Sequence, residues 1–117
     1  WRRVRDEFFK NNPRCAFKGC DCQGPFNVHH IVPFHIDRSK ELDPTNLVTV
    51  CAAGIGPDGR ESPNHHLWVA HQGSFADVNT NVVEDLKNGH WPEIGLQRFE
   101  QRQRKLAKQK PKTILAP

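Results

Sequence analysis

The feature that most constrains the fold is a shortage of apolar residues combined with an abundance of residues that bind metals. Only 36% of the 117 residues are hydrophobic, and nine prolines and eight glycines further limit regular structure. A chain of this length forms one domain, but so few apolar residues bury only a modest core. Such cores are often stabilised by a metal or by disulfides. The chain has seven histidines and four cysteines. In a reducing cytosol, this combination favours a bound metal over disulfides.

The sequence also bears on location and context. We expect no membrane partner, because no stretch approaches the roughly 18 apolar residues that a membrane span requires. No charged segment followed by an apolar one, the pattern of a secretory signal, opens the given sequence. The chain begins at Trp1 and contains no methionine, so we expect it to be part of a longer chain or complex.

Positive charge is concentrated at the two ends of the chain. The formal net charge is +4, and residues 96–112 contain a single acidic residue, Glu100, against seven basic ones: Arg98, Arg102, Arg104, Lys105, Lys108, Lys110 and Lys112. Such a distribution suits a polyanionic partner. A solvated helix face with a basic tail would explain it equally well.

The pattern of apolar residues predicts the order strand, strand, helix in the middle of the chain, flanked by helices. The segments are a helix over 2–11, a cysteine- and glycine-rich knuckle over 14–25, strands over 26–32 and 47–51, a flexible loop over 52–63, and helices over 65–71, 80–87 and 92 to about 110.

Two neighbouring histidines, His29 and His30, are the sharpest local feature. They lie in the first predicted strand, where successive side chains point to opposite faces. They therefore suit two different tasks, one binding a metal while the other faces a substrate. A neutral imidazole near pH 7 accepts a proton from water, which is what a general base does. A structural pair at a strand edge is the plainer alternative.

An asparagine and two further histidines follow this pair along the chain. Asn46 lies sixteen residues after His30 at the start of the second strand, and His66 lies twenty residues after Asn46 on the predicted helix. A hairpin and a helix can fold so that His29 and His66 bind one divalent ion, with His71 nearby.

At these residues the sequence resembles the HNH endonucleases. The resemblance rests on residues 29–33 (HHIVP), 42–51 (LDPTNLVTVC) and 65–66 (HH), and residues 73–85 look like HNH proteins of phages and bacteria. It covers roughly residues 13–86. It implies an α+β fold with a small ββα-metal core (His-Me finger), a zinc knuckle and flanking helices. It also implies a cytoplasmic location in a bacterial or phage-infected cell.

The resemblance implies a role for each matching residue. His30 matches the general base, and Asn46 matches the asparagine that holds the loop and orients that base. His29 and His66 match ligands of a catalytic Mg²⁺ or Mn²⁺, and His71 is a further ligand or a phosphate contact. The expected substrate is double-stranded DNA, and the expected products carry a 5′-phosphate and a 3′-hydroxyl.

Many relatives carry a structural zinc bound by two CxxC pairs, and this sequence departs from that pattern. Cys15, Cys20, Cys51 and His65 would form a Cys₃His site, which is an ordinary donor set for zinc. Cys22 is an alternative, either in place of Cys20 or in place of His65. Decay of the site to buried thiols is the remaining interpretation.

We therefore predict a helical lead-in over 1–12, an HNH nuclease core over 13–88, and a basic C-terminal helix and tail over 89–117. In the last part, Arg98, Arg102 and Lys105 are the predicted DNA contacts. A non-catalytic, zinc-stabilised nucleic-acid-binding module is the main alternative. A secreted domain held by disulfides would leave the histidine spacing unexplained.

Overall fold

The computed structural model describes residues 1–109. Within these residues the regular elements are α1 (Arg2–Asn11), β1 (Phe26–His30), β2 (Leu47–Cys51), a π-helical turn (His66–Ala70), α2 (Val82–Asn88) and α3 (Glu93–Gln109). The predicted α+β class and the order strand, strand, helix are confirmed. The basic tail beyond Gln109, with Lys110 and Lys112, lies outside the described residues.

The two strands form an antiparallel hairpin in which Phe26 pairs with Cys51 and His30 with Leu47. The β-branched run of β2 packs against the core, so Val50 and Cys51 are fully buried. β1 ends two residues earlier than predicted. Beyond His30, the side chain of Asn46 hydrogen-bonds to both the backbone N–H and the backbone carbonyl of Val32. Pro33 has no backbone N–H to donate to a neighbouring strand.

A small core joins the hairpin to the segments that follow it. Its buried members are Cys15, Val50, Cys51, Val69, Ala70, Val82 and Leu86. Two backbone hydrogen bonds attach the cysteine-rich knuckle to this core. Ala16 N donates to Thr49 O at 2.9 Å, and Lys18 N donates to Leu86 O at 2.9 Å. The knuckle is thereby fixed against both β2 and α2.

The predicted helix over 65–71 is a π-helical turn instead of an α-helix. Its closing hydrogen bond runs from His71 N to His66 O at 3.1 Å, a spacing of five residues. The backbone has positive φ just before the turn, at Asn64, and just after it, at Gln72. Asn79 satisfies two carbonyls of the widened turn, because its side chain donates to Val69 O and its backbone to Ala70 O.

The widened turn changes which side chains share a face. In a regular α-helix, side chains five residues apart point about 140° away from each other. A hydrogen bond between residues five apart closes a larger ring and stacks the two residues instead. His66 and His71 therefore lie on the same side, with ring centroids 4.8 Å apart.

α3 packs across this turn at a close backbone approach. Trp68 is buried between the two elements and meets the edge of Phe99. A Cβ atom at Gly95 would overlap the carbonyl oxygen of Trp68, so glycine permits the contact. Like the other helices in residues 1–109, α3 is not apolar and long enough to cross a membrane.

We expect Gly95→Ala to lower the free energy of unfolding by about 1–3 kcal/mol, because the added methyl group must push α3 away from the turn. Urea unfolding followed by circular dichroism measures this change. Gln101→Ala, at an exposed position of the same helix, is the control. Equal midpoints for the two variants would contradict the close packing.

Candidate functional site

Three imidazoles converge at the junction of the hairpin and the π-helical turn. The ligand atoms of His29, His66 and His71 all lie within 4.8 Å of one another. The ring of His29 lies 5.2 Å from that of His66 and 4.8 Å from that of His71. The structure brings His29 and His66 together, and His71 lies beside them. Three imidazole nitrogens at this spacing fit a single divalent ion.

Burial keeps the imidazoles of His29 and His66 neutral. Burial lowers the pKa of His29 to about 3, and the nearby rings of His66 and His71 add to this effect. Burial likewise lowers the pKa of His66 to about 4, with a further contribution from His71. At neutral pH both side chains therefore offer uncharged nitrogen lone pairs, the form that binds a metal ion.

His30 points to the other side of β1 and has separate partners. Its Nε2 lies 2.9 Å from the carbonyl oxygen of Glu41. Because a carbonyl only accepts, Nε2 carries the proton, and Nδ1 keeps its lone pair. The indole of Trp1 packs against the imidazole with ring centroids 4.3 Å apart. The two histidines are therefore separated by the alternation of the strand.

Asn46 fixes the loop that supplies the carbonyl partner of His30. Its side-chain amide donates to Val32 O at 2.9 Å and to Lys40 O at 3.1 Å, and its carbonyl accepts from Val32 N at 2.8 Å. Lys40 is the neighbour of Glu41, so the amide holds the start of that loop next to the strand end. The side chain is buried, which keeps water from competing for these bonds.

The cluster of three imidazoles and the separate His30 both line one cleft of about 540 Å³. Its lining includes His29, His30, His66 and His71, with Arg5 on α1 and the exposed ring of Phe34 at its margin. A second cleft of about 850 Å³ reaches His66 from the other side and extends along α3 to Arg102. The histidine cluster thus lies between two grooves.

A second cluster lies behind the hairpin and contains the four residues Cys15, Cys20, Cys51 and His65. His65 Nδ1 lies 3.5 Å from Cys15 Sγ and 3.3 Å from Cys51 Sγ. A tetrahedral zinc ion with ordinary bond lengths sets this sulfur–nitrogen distance to about 3.6 Å. The donor set and its spacing therefore fit zinc.

Among the three thiols of this cluster, Cys51 is the one whose surroundings lower its pKa. The hydrogen bond from Cys15 lowers the pKa of Cys51, and the same bond together with burial raises the pKa of Cys15. The backbone N–H of His65 also donates to Cys51 Sγ at 3.2 Å. Cys51 is thereby held as a thiolate, the form of cysteine that binds metals.

Cys22 lies outside this cluster. Its sulfur accepts from Gly24 N at 3.3 Å, so it serves the turn that precedes β1. Of the arrangements that the sequence left open, the structure has the one with Cys20 and His65. All four cysteines are free in the described chain, which disfavours a domain held by disulfides.

Residues 13–53 match the family model described as HNH endonuclease. The resemblance to the HNH family is confirmed. The match spans His29, His30 and Asn46 but ends before the π-helical turn, so the ligand geometry at His66 and His71 is an independent observation. No curated protein and no solved structure matches the chain. This match supports nuclease activity with metal binding.

The three predicted DNA contacts on α3 differ in their surroundings. Arg98 is held internally, because its Nη1 contacts the carboxylate of Asp77 and donates to Gln72 O at 3.0 Å. Arg102 lies over the ring of Trp68 at the margin of the larger cleft. Lys105 is exposed one turn further along α3. Of the three, Arg98 is thus the one whose charge is paired with a carboxylate.

Two parts of the site were not predicted from the sequence. Trp1, which packs on His30, stands 29 residues from it, and a single tryptophan before a basic helix carries no signal of that contact. Asp77 accepts through its backbone oxygen from His71 Nδ1 at 2.9 Å, and backbone acceptors leave no trace in a sequence.

We expect Cys20→Ser to lose bound zinc and Cys22→Ser to retain about one equivalent, because only Cys20 belongs to the cluster with His65. Zinc is measured by mass spectrometry of the purified variants. If the loss of zinc lowers the free energy of unfolding by about 3 kcal/mol, the Tm of Cys20→Ser falls by roughly 10 °C. Equal zinc content in the two variants would contradict the assignment of Cys20.

Proposed function

We propose that this chain is a metal-dependent endonuclease that hydrolyses phosphodiester bonds of DNA, with His30 as the general base. The proposal rests on the different surroundings of two adjacent histidines. His29 lies in a buried cluster of three imidazoles, whereas His30 lies on the opposite face of β1 with a free Nδ1. The family match over residues 13–53 supports the same activity.

His30 would remove a proton from the attacking water. Its Nε2–H is committed to Glu41 O, so the proton moves from water to Nδ1. The hydroxide oxygen then bonds to phosphorus while the bond from phosphorus to the 3′ oxygen breaks. The 3′ oxygen takes up a proton from water, which leaves a 5′-phosphate and a 3′-hydroxyl.

Asn46 would act as a positioning residue. Its three hydrogen bonds connect the end of β1 to Lys40 and thereby hold Glu41 O within reach of His30. With this acceptor fixed, the imidazole keeps one tautomer and one orientation.

His29, His66 and His71 would hold the divalent ion. Bound there, the ion would stabilise the negative charge that develops on the leaving oxygen. Cys15, Cys20, Cys51 and His65 would hold a structural zinc ion on the far side of the hairpin.

DNA would lie along the two grooves that meet at the histidine cluster. Arg102 lines the same groove as His66, and Lys105 lines the adjoining groove with Arg102. Basic side chains at such positions bind phosphates, which gives affinity with little choice of sequence. We propose double-stranded DNA as the substrate and, from the resemblance to phage and bacterial proteins, the cytoplasm of such cells as the location.

We expect His30→Ala to lower the rate of plasmid nicking by about 10²–10⁴-fold, because the attacking water loses its base. DNA binding, measured by fluorescence anisotropy, should stay close to that of the unmodified chain. His35→Ala, at an exposed histidine of the neighbouring loop, is the control and should nick normally. Binding without nicking in every form of the chain would favour the non-catalytic, zinc-stabilised module.

We expect nicking to reach half-saturation at a concentration of Mn²⁺ at least about tenfold lower than that of Mg²⁺. In residues 1–109 the cluster contains three imidazoles and no carboxylate. Imidazole donors suit transition metals, whereas Mg²⁺ prefers oxygen ligands. Titration of each ion in the nicking assay measures the two values. Half-saturation at a lower concentration of Mg²⁺ than of Mn²⁺ would show that ligands other than these histidines determine the affinity for the ion.

A further inference from the structure

We propose that Arg98 is a positioning residue for the histidine cluster and acts on His71 through Asp77. The inference rests on the proposed function only in that the cluster holds an ion. It replaces the role of DNA contact that the sequence predicts for Arg98. Its basis is a chain of contacts that runs from α3 through the loop after the π-helical turn to the imidazole of His71.

The first link fixes the ring of His71. Its Nδ1 lies 2.9 Å from the backbone oxygen of Asp77. The oxygen only accepts, so Nδ1 carries the proton and Nε2 is left with the lone pair that a metal requires. Histidine ligands commonly donate their other ring N–H to such an acceptor, and loss of the outer partner typically weakens metal affinity by about 10–100-fold.

The second link fixes the acceptor itself. The side chain of Asp77 pairs with Arg98, and the same nitrogen of Arg98 donates to Gln72 O at 3.0 Å. Gln72 follows His71 directly, and Asp77 lies five residues beyond Gln72. One guanidinium nitrogen therefore holds both ends of the loop that supplies the carbonyl partner of His71.

Arg98 adds to the hydrogen bonds that the loop makes itself. Ser74 N donates to His71 O, Asp77 N donates to Ser74 O, Ala76 N donates to Ser74 Oγ, and Gly73 N donates to Leu67 O of the π-helical turn. Gly73 has a φ of +90°, and a Cβ there would meet the side chain of Arg98 at 2.9 Å. Arg98 thus packs directly on the loop as well as bonding to it, and its side chain is only about one-third exposed, at 35%.

The test is a titration of Mn²⁺ into zinc-loaded protein, followed by electron paramagnetic resonance, for Arg98→Gln and Lys105→Gln. Each variant removes one positive charge from α3, but only Arg98 contacts the loop. We expect Arg98→Gln to raise the Kd for Mn²⁺ by about 10–100-fold. Its DNA affinity without added divalent ion should change less than about twofold, since its charge is paired with Asp77.

Lys105→Gln should show the opposite pattern. Loss of a phosphate contact weakens DNA binding for all sequences and reduces its salt dependence. The Kd for Mn²⁺ should equal that of the unmodified chain. Zinc content should be equal in all forms, because the hydrogen bonds of Arg98 go to Gln72 and Asp77 and not to the residues of the Cys₃His cluster.

Asp77→Asn gives a second measurement that keeps the backbone acceptor and removes the charge of its side chain. If Arg98→Gln does not fold, a raised Kd for Mn²⁺ in Asp77→Asn supports the proposal, and an unchanged Kd overturns it. For a folded Arg98→Gln, an unchanged Kd with weakened DNA binding overturns it and restores the role of DNA contact. If the unmodified chain binds no Mn²⁺, the ion site of the proposed function fails instead.

Discussion

The two metal-ligand clusters are joined by a single peptide bond, between His65 and His66. His65 lies with Cys15, Cys20 and Cys51, and His66 lies with His29 and His71. Any force that fixes His65 therefore fixes the start of the π-helical turn. Zinc bound to the first cluster would hold the turn against β2, whose last residue, Cys51, also belongs to that cluster. The geometry of the second cluster follows from this anchor, because β1 is paired to β2 over its whole length.

The anchor alone does not place His71, which lies at the far end of the turn. Its position depends on the wide hydrogen-bonded ring that brings it over His66, and that ring depends on partners outside the turn. Asn79 satisfies the carbonyls that the wide turn leaves open, and Gly95 lets α3 approach the backbone closely. The segments after the HNH match therefore complete the site that the match begins.

Part of this organisation was predictable from local sequence. The β-branched run of residues 47–51 specifies a strand, and two adjacent histidines in a strand necessarily face opposite sides. The π-helical turn was not predictable, because four consecutive apolar residues, 67–70, carry no sign of its hydrogen-bond spacing. Its width is imposed by contacts from Asn79 and α3, which are distant in sequence. The contact between Arg98 and Asp77 was not predictable for a similar reason, since a basic helix gives no sign of which arginine meets a carboxylate 21 residues away.

The described histidine cluster contains no carboxylate, so no negative charge has to be buried there. His29 is almost fully buried, with 6% of its surface exposed, and a carboxylate beside it would bring a charge into the same apolar surroundings. Neutral imidazoles avoid that cost at neutral pH, and burial lowers the pKa of His29 so that it stays neutral. The chain can therefore assemble its ligands before an ion arrives. With few apolar residues to stabilise the fold, ligands that need no compensating charge suit a core of this size.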